Sequence, residues 1–195
     1  MSYCMVINLK KCVGCGACAT TCKMENGTPP GVTRSKVMKK EFGHFPHVRR
    51  LSLPMLCMHC DDPACVKVCP SGATVKGENG IVSVDKNKCL GCKACMTACP
   101  YGARYFREDE HGYFGSQLTP FEAVKYQAMP KGVIDKCDFC KDRLAKGLEP
   151  TCVKACPVEA RTFGEKEELM DLINQRKGYQ LRPEMGTDPH VYYLQ

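Results

Sequence analysis

Four runs of four cysteines, each closing on the same three-residue step, constrain this 195-residue chain more than any other feature. The runs are Cys12, Cys15, Cys18, Cys22; Cys57, Cys60, Cys65, Cys69; Cys89, Cys92, Cys95, Cys99; and Cys137, Cys140, Cys152, Cys156. The first and third read C-x2-C-x2-C-x3-C. The second widens the middle gap to four residues and the fourth widens it to eleven. Proline follows the last cysteine in three runs, as Pro70, Pro100 and Pro157, and Lys23 stands there in the first. Of the seventeen cysteines only Cys4 lies outside the runs.

A [4Fe–4S] core needs one thiolate on each of four irons at the corners of a cube, and this spacing is the one bacterial ferredoxins use for it. Three cysteines two residues apart wrap a loop around three corners. The fourth, on the helix that follows, ligates the other cluster of a pair, so the runs are expected to work in pairs. Zinc sites use pairs of C-x2-C and rarely a third cysteine two residues on. A disulfide framework suits a short secreted chain with little core, not a chain with 44% apolar residues. Every run keeps all four cysteines, so four cubanes are expected and no three-iron cluster. Cys4, in the apolar stretch from Tyr3 to Ile7, reads as an ordinary buried thiol.

The formal charge of +7 invites a nucleic-acid reading that the cofactors remove. Four oxidised clusters with their thiolates carry about −8, so the loaded protein sits near −1. Lysine runs such as Lys10-Lys11, Lys39-Lys40 and Lys86-Asn87-Lys88 then read as solvated faces or as charge compensation. No apolar stretch has the length of a membrane span, and the N-terminus lacks a signal peptide and a twin-arginine pair. The expectation is a soluble, peripheral member of a complex, cytoplasmic or carried across a membrane by a partner's signal.

A repeat surrounds the runs. Short β-rich segments lead into three of them: Met5 to Asn8, Ile81 to Asp85, and Val133 to Asp135. Cys-Pro-x-x-Ala and a second short segment follow three: Ala73 to Val75, Ala103 to Tyr105, and Ala160 to Phe163. Lys76-Gly77-Glu78-Asn79-Gly80 reads as a hairpin turn. It joins runs two and three into one unit, leaving runs one and four to complete the other, with Arg161 to Phe163 beside Met5 to Asn8. The expected fold is α+β: two nested bacterial-ferredoxin-like modules with long loop insertions. Residues 1–53 and 133–195 form the outer module, 54–106 the inner one, and 107–132 an insertion that contacts a partner. Met24 to Pro54 reads as a covering loop. Thr119-Pro120 starts a helix within the insertion, and Glu165 to Lys177 is an amphipathic helix whose Leu169, Leu172 and Ile173 face the core.

The four runs, the stretch Cys22-Lys23-Met24-Glu25-Asn26, the segment Cys99-Pro100-Tyr101-Gly102-Ala103-Arg104 and the closing Leu181-Arg182-Pro183-Glu184-Met185-Gly186-Thr187 resemble one family. It is the four-cluster electron-transfer subunit of molybdenum or tungsten bis-pterin oxidoreductases, of the polysulfide, thiosulfate, dimethyl sulfoxide and arsenate reductase type. The resemblance implies four [4Fe–4S] clusters with exchanged fourth ligands. Cluster 1 takes Cys12, Cys15, Cys18 and Cys156. Cluster 2 takes Cys89, Cys92, Cys95 and Cys69. Cluster 3 takes Cys57, Cys60, Cys65 and Cys99, and cluster 4 takes Cys137, Cys140, Cys152 and Cys22. It also implies a large pterin-bearing catalytic partner facing cluster 1. The outer donor or acceptor, such as a quinol-reactive integral membrane subunit, would face cluster 4. Lys23 in place of proline departs from the pattern and suits a continuing helix. The insertion is longer than polysulfide-type subunits need and points also to transhydroxylase and catechol dehydroxylase subunits.

The expected function is therefore relay of single electrons, with no catalytic site in this chain. A free polyferredoxin is the rival, against which the insertions and the apolar segment Val191 to Leu194 argue for a fixed partner. His59, between Cys57 and Cys60, is not expected to ligate a cluster, and hydrogen bonding or a proton-linked effect on potential is the lesser alternative for it; His44, His47, His111 and His190 read as loop residues.

Overall fold

The computed structural model describes residues 2–195. In chain order the elements are β1 (Tyr3–Asn8), α1 (Ala17–Asn26), β2 (Ser35–Phe42), β3 (Arg49–Leu56), α2 (Ala64–Lys67), β4 (Thr74–Lys76), β5 (Val82–Val84), α3 (Ala94–Ala98), β6 (Tyr105–Phe106), α4 (Pro120–Lys125), β7 (Ile134–Asp135), α5 (Lys141–Leu144), α6 (Thr151–Lys154), β8 (Arg161–Glu165), α7 (Lys166–Gln175) and β9 (Val191–Leu194).

The core is built on β1. It pairs antiparallel with β8, Val6 opposite Thr162 and Ile7 opposite Arg161, as the repeat anticipates. On its other edge it pairs parallel with β9, Val6 opposite Tyr192. Alternate side chains of a strand point to opposite faces. Met5 and Ile7 join Val191 and Tyr193 in a core that reaches Cys57, Met58, Cys137 and Phe139. Cys4 and Val6 join Tyr192, Leu194 and Ile173 of α7 in a second core. Cys4 is thus a packing residue, and burial pushes its thiol up to about 11.

Two readings are corrected. The apolar C-terminal segment is no partner surface: β9 is buried along its whole length, and the Tyr193 hydroxyl donates to the Pro54 carbonyl at 2.8 Å. A four-residue run carries too little period to separate a core strand from a sticky end. The covering loop from Met24 to Pro54 is mostly a long hairpin, β2 against β3 in an unbroken antiparallel register from Ser35–Leu56 to Phe42–Arg49. Alternating Leu51, Leu53 and Met55 were its signal. Pro54 masked it, and proline is tolerated there because β3 is an edge strand.

Runs two and three are joined by the β4–β5 hairpin, Thr74 opposite Val84. Gly80, at φ +76°, supplies the left-handed position of its turn. Strands β6 and β7 pair across the insertion, Phe106 opposite Ile134. Within the insertion, α4 begins with a capping box between Thr119 and Glu122. The Glu122 carboxylate accepts from the Tyr113 amide, the Thr119 amide and hydroxyl, and the Tyr126 hydroxyl. Those donors, the Tyr113 amide first, hold its carboxyl down at about 2. Lys125 donates to the Glu25 carbonyl and Lys86 to the Ala128 carbonyl, fastening the insertion to the body.

Candidate metal centres

Each run is built the same way. The third cysteine is the second residue of a helix: Cys18 in α1, Cys65 in α2, Cys95 in α3 and Cys152 in α6. The residue before the second cysteine has positive φ in all four runs: Gly14 +70°, His59 +45°, Gly91 +67° and Phe139 +53°. Glycine adopts that conformation freely, whereas a side chain costs roughly 1–3 kcal/mol there. The last cysteine follows its helix where proline comes next. In the first run α1 continues through Lys23 to Asn26, so Cys22 stays on the helix, as the missing proline suggests.

Long-range folding then sorts the cysteines. Cys12, Cys15, Cys18 and Cys156 line one small cavity. Cys89, Cys92, Cys95 and Cys69 line another. Cys57, Cys60, Cys65 and Cys99 line a third. Cys22 lies among Cys137, Cys140 and Cys152: burial, with the neighbouring thiols, pushes Cys22 up to about 12 and Cys137 well above the usual thiol range. Each set therefore joins three cysteines of one run to the last cysteine of its paired run.

The sulfur atoms do not suit a single ion. Among the described residues no three His, Cys, Asp or Glu side chains converge as they would on one metal, and all seventeen cysteines are free of disulfides. A cubane, whose four ligands bind four separate irons, fits such spread sets, and tetrahedral zinc with Zn–S near 2.3 Å does not. Backbone amides also point at sulfur. Thr74 N donates to Cys69 Sγ at 3.4 Å and Ala160 N to Cys156 Sγ at 3.2 Å. Burial raises Cys69, but hydrogen bonds from Thr74, Ser71 and Ala73 outweigh it and bring the thiol down to about 7. Amide–sulfur bonds of this kind are one lever on cluster potential.

Exposure separates the sets. In the first and third loops Val13 is 60% and Leu90 73% exposed beside the outward cysteines Cys15 and Cys92. The set expected to face the outer donor is the most buried of the four: Cys22, Cys137 and Cys152 are only 4%, 7% and 5% exposed, and Cys140 is half-buried. Its loop is turned inward because the Phe139 ring stacks on His59 of the second run, centroids 3.7 Å apart. His59 Nδ1 accepts from the Val82 amide at 3.1 Å, and burial keeps the ring neutral. The buried Lys136 ammonium donates to the Val82 and Cys137 carbonyls across the same seam. His190, read as a loop residue, is buried as well.

Sequence reasoning missed a buried ion pair beside the Cys137 set. Arg34 donates from Nε and Nη2 to both oxygens of Asp135, at 2.6 and 2.8 Å, and from Nη1 to Asn26 Oδ1 at 2.7 Å. Asp138 stands 3.3 Å from the same Nη1. Arg34 and Asp135 are 101 residues apart, so no local pattern could have joined them.

A duplicated arrangement of cysteine loops, each with a helix-borne third ligand, defines an iron–sulfur protein of the two-cluster ferredoxin kind. The 4Fe-4S dicluster domain family matches residues 48–118 and 113–166, and a second 4Fe-4S dicluster domain family matches 11–73. The chain is 42% identical to a selenate reductase subunit of Mesobacillus selenatarsenatis over 100% of this chain and 72% of that one. It is 39% identical to the arsenate respiratory reductase iron-sulfur subunit ArrB of Shewanella sp. (97% and 94% covered). It is 38% identical to the thiosulfate reductase electron transfer subunit PhsB of Salmonella typhi (91% and 84% covered). The chain belongs to this family of iron–sulfur electron-transfer subunits of reductases, and two dicluster modules imply four [4Fe–4S] clusters. Among the described residues no helix is long and apolar enough to cross a membrane.

Proposed function

We propose that this subunit relays single electrons between a molybdenum or tungsten bis-pterin catalytic subunit and a second redox partner, through the four ligand sets assembled above. The observation that carries the reading is the sorting of sixteen cysteines into four sets, each with its fourth member from the paired run. Bound clusters supply one-electron couples. The chain supplies thiolates, inward amides and dry surroundings. The nested assignment, with 1–53 and 133–195 around 54–106, is supported by β1 pairing with β8 and by the β4–β5 hairpin. The catalytic partner is inferred from relatives named as subunits of selenate, arsenate and thiosulfate reductases. Anaerobically isolated protein should hold about sixteen irons and sixteen acid-labile sulfides, four per cluster. Stoichiometric zinc without sulfide would overturn the assignment.

The Cys12 set and the Cys89 set, each with an outward cysteine beside an exposed apolar residue, are the two ends of the relay in this reading. The Cys137 set lies between them. The insertion is a partner contact, since Phe114, Phe121 and Val124 are exposed on it while Tyr126 and Met129 anchor it. Glu122→Gln tests that role. The depressed carboxyl contributes stability that is complete above about pH 4.5 and lost as pH falls through about 2, so its removal acts fully at neutral pH. Faster proteolysis within 107–132 and weaker retention of the catalytic subunit are expected, at unchanged iron content. A loosened insertion with undiminished retention would remove the contact role.

A further inference from the structure

The motif Cys-Pro-x-x-Ala runs on into arginine in two of its three copies, Arg104 and Arg161, and into Thr74 in the other. Both arginines are buried, each 4% exposed. Arg161 Nη2 donates to Cys18 Sγ at 3.3 Å and to Ser35 Oγ at 3.4 Å. Its Nη1 donates to Cys152 Sγ at 3.5 Å and Met5 Sδ at 3.7 Å. Arg104 Nη1 donates to Thr74 Oγ1 at 3.1 Å; its buried Nη2 has no hydrogen-bond partner among the described residues, and the side chain lines the cavity of Cys57, Cys60, Cys65 and Cys99. The groups that most affect both arginines are cysteines of the runs and, for Arg161, Tyr193 as well.

The repeat makes the two arginines equivalent in position. Cys18, Cys152, Cys65 and Cys95 are each the third cysteine of a run and the second residue of a helix. Arg161 bonds the third cysteines of runs one and four, and Arg104, its counterpart in the repeat, faces those of runs two and three without a hydrogen bond to either. Guanidinium stays charged at any working pH, and burying it with no anion is strongly unfavourable. Among the described residues neither guanidinium forms a salt bridge to a carboxylate, and the ligand thiolates are the anions they face. A fixed positive charge between two redox centres favours an added electron on either one, and hydrogen bonds to ligand sulfur act in the same direction.

We propose that Arg104 and Arg161 are shared counter-cations, one for each pair of clusters, that raise the reduction potential of both clusters they face. The inference rests on the ligand sets proposed above. The arginines are positioning residues: they hold charge at sulfur, while Thr74 and Ser35 fix the guanidinium planes.

The test is an anaerobic redox titration of the intact complex followed by EPR, with iron content measured alongside. Cys18→Ser and Cys152→Ser first identify the two signals of the outer pair, so a failure of the ligand assignment appears there, separately from the arginines. Arg161→Gln should then make both of those clusters at least tenfold harder to reduce, a downward shift of about 59 mV or more, with the inner pair unmoved. Arg104→Gln should do the reverse. Arg161→Lys, with its charge retained but no fork to span two sulfurs, should return one cluster of the pair towards its original potential. Fully loaded glutamine variants with unchanged potentials, or a shift confined to one cluster of a pair, would overturn the proposal. If the glutamine variant loses iron, the lysine variant decides: a potential shift within the touched pair supports the shared role, and loss of iron there too assigns the arginine to assembly and overturns it.

Discussion

Replacing Cys22 with alanine should remove the cluster built on Cys137, Cys140 and Cys152 and spare the one built on Cys12, Cys15 and Cys18, although Cys22 belongs to the first run. Helix α1 starts at Ala17 and continues to Asn26, and Cys18 and Cys22 part company along it. Cys18 meets Arg161 and shares a cavity with Cys156, whereas Cys22 lies among Cys152 and Cys140. The side chain of Asn26 donates to Cys22 Sγ at 3.5 Å and bonds Arg34 in turn, so the sulfur is held in place from the helix end. About a quarter of the bound iron should be lost, one cluster in four. Because the missing set is the most buried and lies between the two ends in the proposed relay, electron transfer from one exposed end to the other should collapse while each end stays reducible. Spectra in which only the Cys12 cluster disappears would refute the exchange of fourth ligands.

Arg34→Ala should be the most destabilising single change outside the cysteines. Its guanidinium holds Asp135 bidentately, approaches Asp138 between Cys137 and Cys140, and reaches Asn26 on α1. Removing one partner of such a buried pair strands the other, a cost of roughly 3–5 kcal/mol. Lys86, 3.2 Å from Asp135, compensates only one side of that carboxylate. For a chain of this size each kcal/mol lowers the thermal midpoint by about 2–4 °C, so a fall of about 6–20 °C is expected for the loaded protein. The Cys137 cluster should be lost first on heating. Replacing Arg34 and Asp135 together by apolar residues of similar volume should recover much of the loss, because no buried charge is then stranded. A midpoint lowered by no more than about 2 °C in Arg34→Ala would show the pair to be exposed or unformed in solution.

The cysteine chemistry was legible because ligand spacing is local. Three thiolates two residues apart can wrap a cluster only in a tight loop, and that loop is written in consecutive residues. The hairpin between runs two and three, the capped start of α4 and the core face of α7 were legible for the same reason: glycine, threonine–proline and helical periodicity act over a few residues. The β2–β3 hairpin and β9 were not. Proline hid the first, and the second is too short to declare a period.

Which cysteine loops face outward was beyond local reading. Gly14 and Gly91 mark the tight turn in two runs, and nothing in Met58-His59 or Asp138-Phe139 announces that the same positive-φ turn is held there by bulky rings. Those rings stack on one another, which turns two loops inward and leaves the glycine-bearing loops facing out. The amino-acid sequence by itself determined the cofactor, the number of cysteine groups and the electron-transfer class. Only the tertiary structure decided which set is most buried, that Arg34 meets Asp135 101 residues away, and that Arg161 reaches Cys18 143 residues away. The physical reason is range. Coordination motifs act over a few residues of backbone, whereas burial and charge pairing act between residues a hundred positions apart.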